Sequence, residues 1–132
     1  MHTTRKTLGV VLGGVLFLSG WLLGQERAAT QKTVIHAAAW TALDTMTPQQ
    51  FDNFKKESAA LVGQVRGLRR VWVGKLRAPI TADGNQRNYG LIVEFDDVKT
   101  KEAYSANHPE PWYGNFNKLR KPGSTNFDVV GE

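Results

Sequence analysis

The spacing of apolar residues switches from a period of two to about 3.6 and back along this chain, and the order of those switches restricts its fold more than any other feature. Residues Thr33 to Thr41 read as a strand, with Val34, His36, Ala38 and Trp40 on one face and Ile35, Ala37 and Ala39 on the other. Both faces are largely apolar, as expected of a strand covered on both sides. A turn over Leu43 to Thr47 leads into a helix start: Thr47-Pro48-Gln49-Gln50 offers a capping hydroxyl, a proline at the first helical position and a Gln that can bond back to the cap. Phe51, Phe54, Leu61, Val62 and Val65 then recur at helical spacing with Ser58 in the same stripe, while Lys55, Lys56 and Glu57 cover the opposite side. Gly67 suits the end of that helix.

Leu68 to Leu76 reads as the second strand and Tyr89 to Phe95 as the third, with Tyr89, Leu91, Val93 and Phe95 on one face. Between them 77–87 reads as a loop, because it holds Pro79 and the Asp83-Gly84 turn signal. Asp96 or Asp97 can cap a second helix through Asn107, anchored by Val98, Ala103 and Tyr104 and stopped by His108-Pro109, since a residue before proline disfavours helix. Glu110 to Gly123 reads as irregular, and Thr125 to Val130 as a short last strand. The resulting order, β-α-β-β-α-β, is the split βαβ or ferredoxin-like arrangement of the α+β class.

The 132 residues, 41% hydrophobic and 22% charged, suit one globular domain. There is no cysteine, so the core must hold by packing alone, and thiolate zinc sites and Fe–S clusters are excluded. The formal charge is +5, but Arg5 and Lys6 sit in the N-terminal segment and the remainder is only mildly basic. Arg66, Arg69, Arg70 and Lys75, and separately Lys118, Arg120 and Lys121, read as solvated faces rather than a nucleic-acid stripe, and no nucleic-acid partner is expected.

Residues 1–24 have the layout of a signal peptide or membrane anchor: a short basic head, then an uncharged apolar run from Thr7 to Gly24. That run lies between the length of a signal core and that of a spanning helix, and Gly9, Gly13, Gly14, Gly20 and Gly24 dilute it. A cleaved signal is the expected outcome, with Leu22-Leu23-Gly24 before Gln25 as one cutting site and Ala28-Ala29, badly preceded by Arg27, as a second. Positive charge ahead of the run keeps that end in the cytoplasm, so the domain is expected outside, free or tethered to the membrane through residues 7–24. Residues 25–32 read as a linker, and 33–132 as the domain.

Four patterns in this order resemble the stress-responsive A/B-barrel, or Dabb, family: Val34-Ile35-His36 opening a strand; Val71-Trp72-Val73-Gly74 after a Gly-containing turn; Tyr89-Gly90-Leu91-Ile92-Val93-Glu94-Phe95-Asp96; and Ala103-Tyr104-Ser105-Ala106-Asn107-His108-Pro109. The resemblance covers roughly Lys32 to Val130. It implies a ferredoxin-like subunit that pairs with a second copy so that two sheets form a barrel. It also implies that His36, Tyr104 and His108 match the family's first-strand histidine, its tyrosine and the histidine of its His-Pro pair. Some members are cyclases of polyketide-like substrates acting through His and Tyr, and many have no assigned activity. Two positions depart from the family: Pro111 stands where a second histidine often follows, and Leu91 where cyclase-type members carry a third-strand histidine.

His36 and His108 are the histidines of the domain and can titrate near neutrality, which suits proton transfer assisted by Tyr104 at an enolate-like oxygen. Trp40, Leu91, Trp112 and Tyr113 are the candidate apolar contacts of a bound molecule, with the Trp112-Tyr113 segment as its roof. No metal-ligating spacing such as H-x-x-x-H, no phosphate loop and no dinucleotide fingerprint occurs in the domain, so no metal or cofactor is expected. The leading expectation is a homodimeric, exported domain that binds a small, partly apolar molecule. The alternatives are a cyclase or lyase built on His36, Tyr104 and His108, and a purely structural assembly module.

Overall fold

A computed structural model of the chain describes residues 32–131. The expected signal or anchor segment and the linker up to Gln31 lie outside the described residues. Four strands and three helices follow in chain order: β1 Val34–Ala42, α1 Pro48–Gln64, β2 Leu68–Ala82, β3 Asn85–Phe95, α2 Val98–Ala106, α3 Trp112–Asn117 and β4 Arg120–Val130. The sheet is antiparallel with strand order β2-β3-β1-β4. This is the ferredoxin-like α+β fold expected from the order of periodicities.

The start of α1 is the reciprocal cap that its sequence encodes. The Thr47 hydroxyl accepts from the Gln50 backbone N–H at 3.1 Å, and the Gln50 side chain accepts from the Thr47 N–H at 2.8 Å. Phe54, Ser58 and Leu61 are the buried residues of this helix, whereas Val62, also expected in its apolar stripe, is exposed. The helix ends at a cap on Val65, and Gly67 then turns with φ +81°. A side chain at that glycine would meet Thr100 of α2 at 2.6 Å, so the chain passes close under α2 only because the residue is glycine.

Three expectations are corrected. The loop expected over 77–87 is the end of a long hairpin: β2 runs to Ala82, β3 starts at Asn85, and Asp83 and Gly84 form the turn with φ of 51° and 71°. Two successive positive φ values give the turn whose twist suits a two-residue hairpin. Pro79 is accommodated because the register breaks between Lys75 and Ile80, so no ladder bond is asked of it. The connection expected to be irregular holds α3, and β4 begins at Arg120, ahead of the expected Thr125. In α2, capped by Asp97 through the Thr100 N–H at 2.7 Å, Tyr104 is the buried anchor, while Val98 and Ala103 are exposed.

All three helices serve one face of the sheet. Trp40 of β1 is fully buried at the centre of the core, stacked on Tyr89 and edge-on to Phe54 and Phe116. Phe54, Trp112 and Phe116 stack on one another, tying α1 to α3. Trp40 was a candidate ligand contact. It is a core residue instead: it is fully buried and is not among the residues that line the cavity described below.

The opposite face of the sheet is apolar and uncovered within one chain. Trp72 of β2, Ile92 of β3, Ala37 of β1 and Phe127 of β4 are register partners and form a row across all four strands. In that row Trp72 is 47% exposed and Phe127 58%. β1 therefore has the two apolar faces read from its sequence, but a single chain covers only one.

Candidate functional site

β4 carries its alternation inside out. Its residues on the helix side are Ser124, Asn126 and Asp128, register partners of Trp40, Ala38 and His36, while Phe127 and Val129 point to the uncovered face. Polar residues facing the helices leave a cavity instead of a packed core. It has a volume of about 340 Å³. Ala38 and Leu91, which are register partners on β1 and β3, belong to its floor. Tyr104 and Lys101 come from α2, His108 from the link to α3, Trp112, Tyr113 and Phe116 from α3, and Arg120 from the start of β4.

The structure brings His36, Tyr104 and His108 to this one cavity, together with Leu91, Trp112 and Tyr113. His36 is held by a residue that the sequence did not single out: its Nδ1 lies 2.6 Å from Oδ1 of Asp128, directly across the β1–β4 pair. The second oxygen of Asp128 lies 2.8 Å from Nζ of Lys101. Asp128 thus joins an imidazole and an ammonium. Burial pushes its carboxyl up, but hydrogen bonds from Lys101 and His36 outweigh burial and hold it below the ordinary 3.8. The ionised carboxylate fixes the ring orientation of His36 and leaves Nε2 as the nitrogen free to hydrogen-bond a ligand.

His108 is placed by aromatic rings. It stacks on Tyr113 with centroids 4.0 Å apart and meets Tyr104 edge-on at 4.9 Å. Burial lowers its pKa, as does its proximity to the His36 imidazole and to the Arg120 and Lys101 cations, against an opposing effect from Glu110. It is therefore neutral at neutral pH, able to accept a proton. Tyr104 is the opposite case: burial, with a contribution from Tyr113, raises its hydroxyl far above 10, so that it stays protonated and keeps its O–H as a donor. Trp112 is fixed from behind, its Nε1 donating to Ser58 Oγ at 2.9 Å while that hydroxyl donates to the Phe54 carbonyl at 2.7 Å.

Two imidazoles and a phenol thus line one cavity of mixed polar and apolar surface, groups of the kind that can exchange protons with a bound molecule. Among the described residues no group of three or more His, Asp or Glu side chains is placed to hold a metal ion. Sequence reasoning missed Lys101, Asp128 and Arg120 as cavity residues. For Asp128 the signal was present in Asn126-Phe127-Asp128-Val129, where polar and apolar residues alternate.

No protein-family model and no curated protein matches the sequence. Solved structures do match the fold. A dimeric ferredoxin-like protein of unknown function from Thermobifida fusca is 17% identical, with 76% of this chain and 92% of that one covered and a TM-score of 0.58. A Dabb family protein with a ferredoxin-like fold from Mesorhizobium loti is 16% identical over 77% of this chain and 99% of that one, with a TM-score of 0.54. The hydroxynitrile lyase of Passiflora edulis is 13% identical over 76% and 94%, with a TM-score of 0.56. With the strand order and these likenesses together, residues 32–131 have the ferredoxin-like α+β fold that the Dabb family protein of Mesorhizobium loti also has.

Proposed function

We propose that this protein is an exported, homodimeric domain that binds a small, partly apolar molecule in the cavity beneath α2 and α3. The observation that carries the reading is the two-sided lining of that cavity: Leu91, Trp112 and Phe116 offer apolar surface, while His36, Lys101 and Asp128 offer polar groups at fixed positions. Pockets of small-molecule sites combine those two kinds of surface in this way. The homodimer is supported by the apolar row Trp72, Ile92, Ala37 and Phe127 on the sheet, and by solved proteins of the same fold that are dimeric. Export rests on the basic head and uncharged run of residues 1–24.

Thermal unfolding in the presence of a panel of small apolar and amphipathic compounds tests the binding role. A true ligand at a hundred times its Kd raises Tm by about 10–20 °C. Tyr113→Ala removes a half-buried wall of the cavity and should shrink that shift. A panel that moves Tm nowhere refutes the reading.

A second reading, a cyclase or lyase acting on a small carbonyl compound, is favoured by one observation: neutral His108 and protonated Tyr104 line the same cavity as the Asp128-held His36. His108 would take a proton from a hydroxyl or from a carbon beside the carbonyl, and Tyr104 would donate a hydrogen bond to the oxygen on which charge develops. The fold accommodates lyase chemistry in the Passiflora edulis protein. Turnover measured on hydroxynitriles and β-keto compounds should fall by about 10²–10⁴ in His108→Gln with Tm retained. Undiminished turnover removes His108 from the mechanism.

A further inference from the structure

The charges around the cavity do not balance. Lys101 and Arg120 line it as permanent cations, against the single carboxylate of Asp128. Both oxygens of Asp128 are engaged, one by His36 and one by Lys101, so Lys101 is compensated. Arg120 is not. Its Nε and Nη2 donate to the side-chain oxygen of Asn117 at 2.9 and 2.7 Å, a neutral acceptor. Its guanidinium carbon lies 4.5 Å from the centroid of the Phe116 ring. Among the described residues no ion pair involves Arg120.

That arrangement suits recognition of an anion. The two bonds to Asn117 come from the Nε–Nη2 edge of the guanidinium, which leaves the Nη1 end for another acceptor. Stacking on Phe116 and the Asn117 bonds hold the group in place before any ligand arrives, so little side-chain freedom is lost on pairing. The same Phe116 ring belongs, with Trp112 and Leu91, to the apolar side of the cavity. A fixed cation therefore adjoins apolar surface, with one positive charge unmatched.

We propose that the ligand is an amphipathic monoanion, an aliphatic or aryl carboxylate, whose carboxylate pairs with Arg120 while its apolar body lies against Phe116, Trp112 and Leu91. This rests on the binding role proposed above and adds the ligand's charge and the residue that reads it. A volume of about 340 Å³ stands at the lower end of the range for small-molecule sites, which admits compounds the size of octanoate.

The test is calorimetric titration of the full-length protein with octanoate and with its neutral isostere octanamide. Octanoate should bind about tenfold tighter, the value of a charge-assisted pair in a partly enclosed site. Arg120→Gln should bring that preference close to unity, and Arg120→Lys should restore part of it. Should Arg120→Gln fail to fold, added salt on the unaltered protein gives the same readout, since screening must shrink the preference for octanoate. Octanamide binding as well as octanoate, or a preference unchanged in Arg120→Gln or indifferent to salt, overturns this inference and leaves the binding role intact. If neither compound binds and the wider neutral panel is also silent, the binding role falls and this inference with it.

Discussion

Ser58 stands in the stripe of α1 where an apolar side chain would be expected, between Phe54 and Leu61. It is fully buried, donates to the Phe54 carbonyl and accepts from the Trp112 indole. Ser58→Ala leaves that indole N–H without its partner and should cost about 1–3 kcal/mol, measured by chemical denaturation. His108 gives a second residue-level prediction, a dependence of stability on pH. Burial and the proximity of His36, Arg120 and Lys101 hold it below the ordinary 6.5, with Glu110 opposing. As pH falls through 6.5 the unfolded chain takes up a proton that the folded protein still refuses. The stability contributed by neutral His108 is thus complete above that pH and is lost below it. Asp128 acts in a separate window: its depressed carboxyl contributes above 3.8, and that contribution is lost as pH falls further. A Tm profile from neutrality downward should show both declines, and His108→Gln should remove the upper one alone. At this scale the sequence was partly legible. His36, Tyr104 and His108 could be read as titratable or polar residues on predicted elements. Asp128 could not be matched to His36, because their contact is set by strand pairing across 92 positions. Trp40 was misread because nothing in a strand's alternation tells a residue under a helix from one beside a cavity.

Among the elements, α1 was the most legible, since its start is local chemistry. Thr47→Ala removes one half of the reciprocal cap and should cost about 1 kcal/mol, with the loss read as a lower denaturation midpoint at unchanged m. The β2–β3 hairpin was legible at its turn and not at its length. Asp83-Gly84 marks the reversal correctly, but Pro79 reads as a break unless the register shift beside it is known. That shift is a property of two strands together, so one strand's sequence does not display it. Helix α3 spans only Trp112–Asn117, too short for an apolar period to emerge; its Trp112 and Phe116 stack on each other and on Phe54 of α1, and Phe116 meets Trp40 of β1. The inverted alternation of β4 is the element-level feature that makes the site: the same strand gives polar groups to the cavity and apolar groups to the outer face.

For the whole molecule, the uncovered sheet face is the dominant feature. Residues Trp72, Ile92 and Phe127 form an exposed apolar row, and the second copy proposed above, laid on this face, would bury them. Trp72→Glu places a charge in the middle of that row and should shift the protein to monomer in light scattering, with the helix-side core intact. A wild-type monomer at micromolar concentration would refute the homodimer. The order of strands has one more effect. β1 and β4 are neighbours, Val34 pairs with Val130, and the Gly131 N–H reaches the Thr33 carbonyl at 2.8 Å. First and last strands thus finish side by side at one edge of the domain, as close as the two arms of a hairpin. A turn of a few residues could weld them into an endless chain, and the molecule could then be reopened at Asp83-Gly84 with every strand neighbour retained. Where the polypeptide is cut is a free choice for this architecture, and which strand lies against which is not.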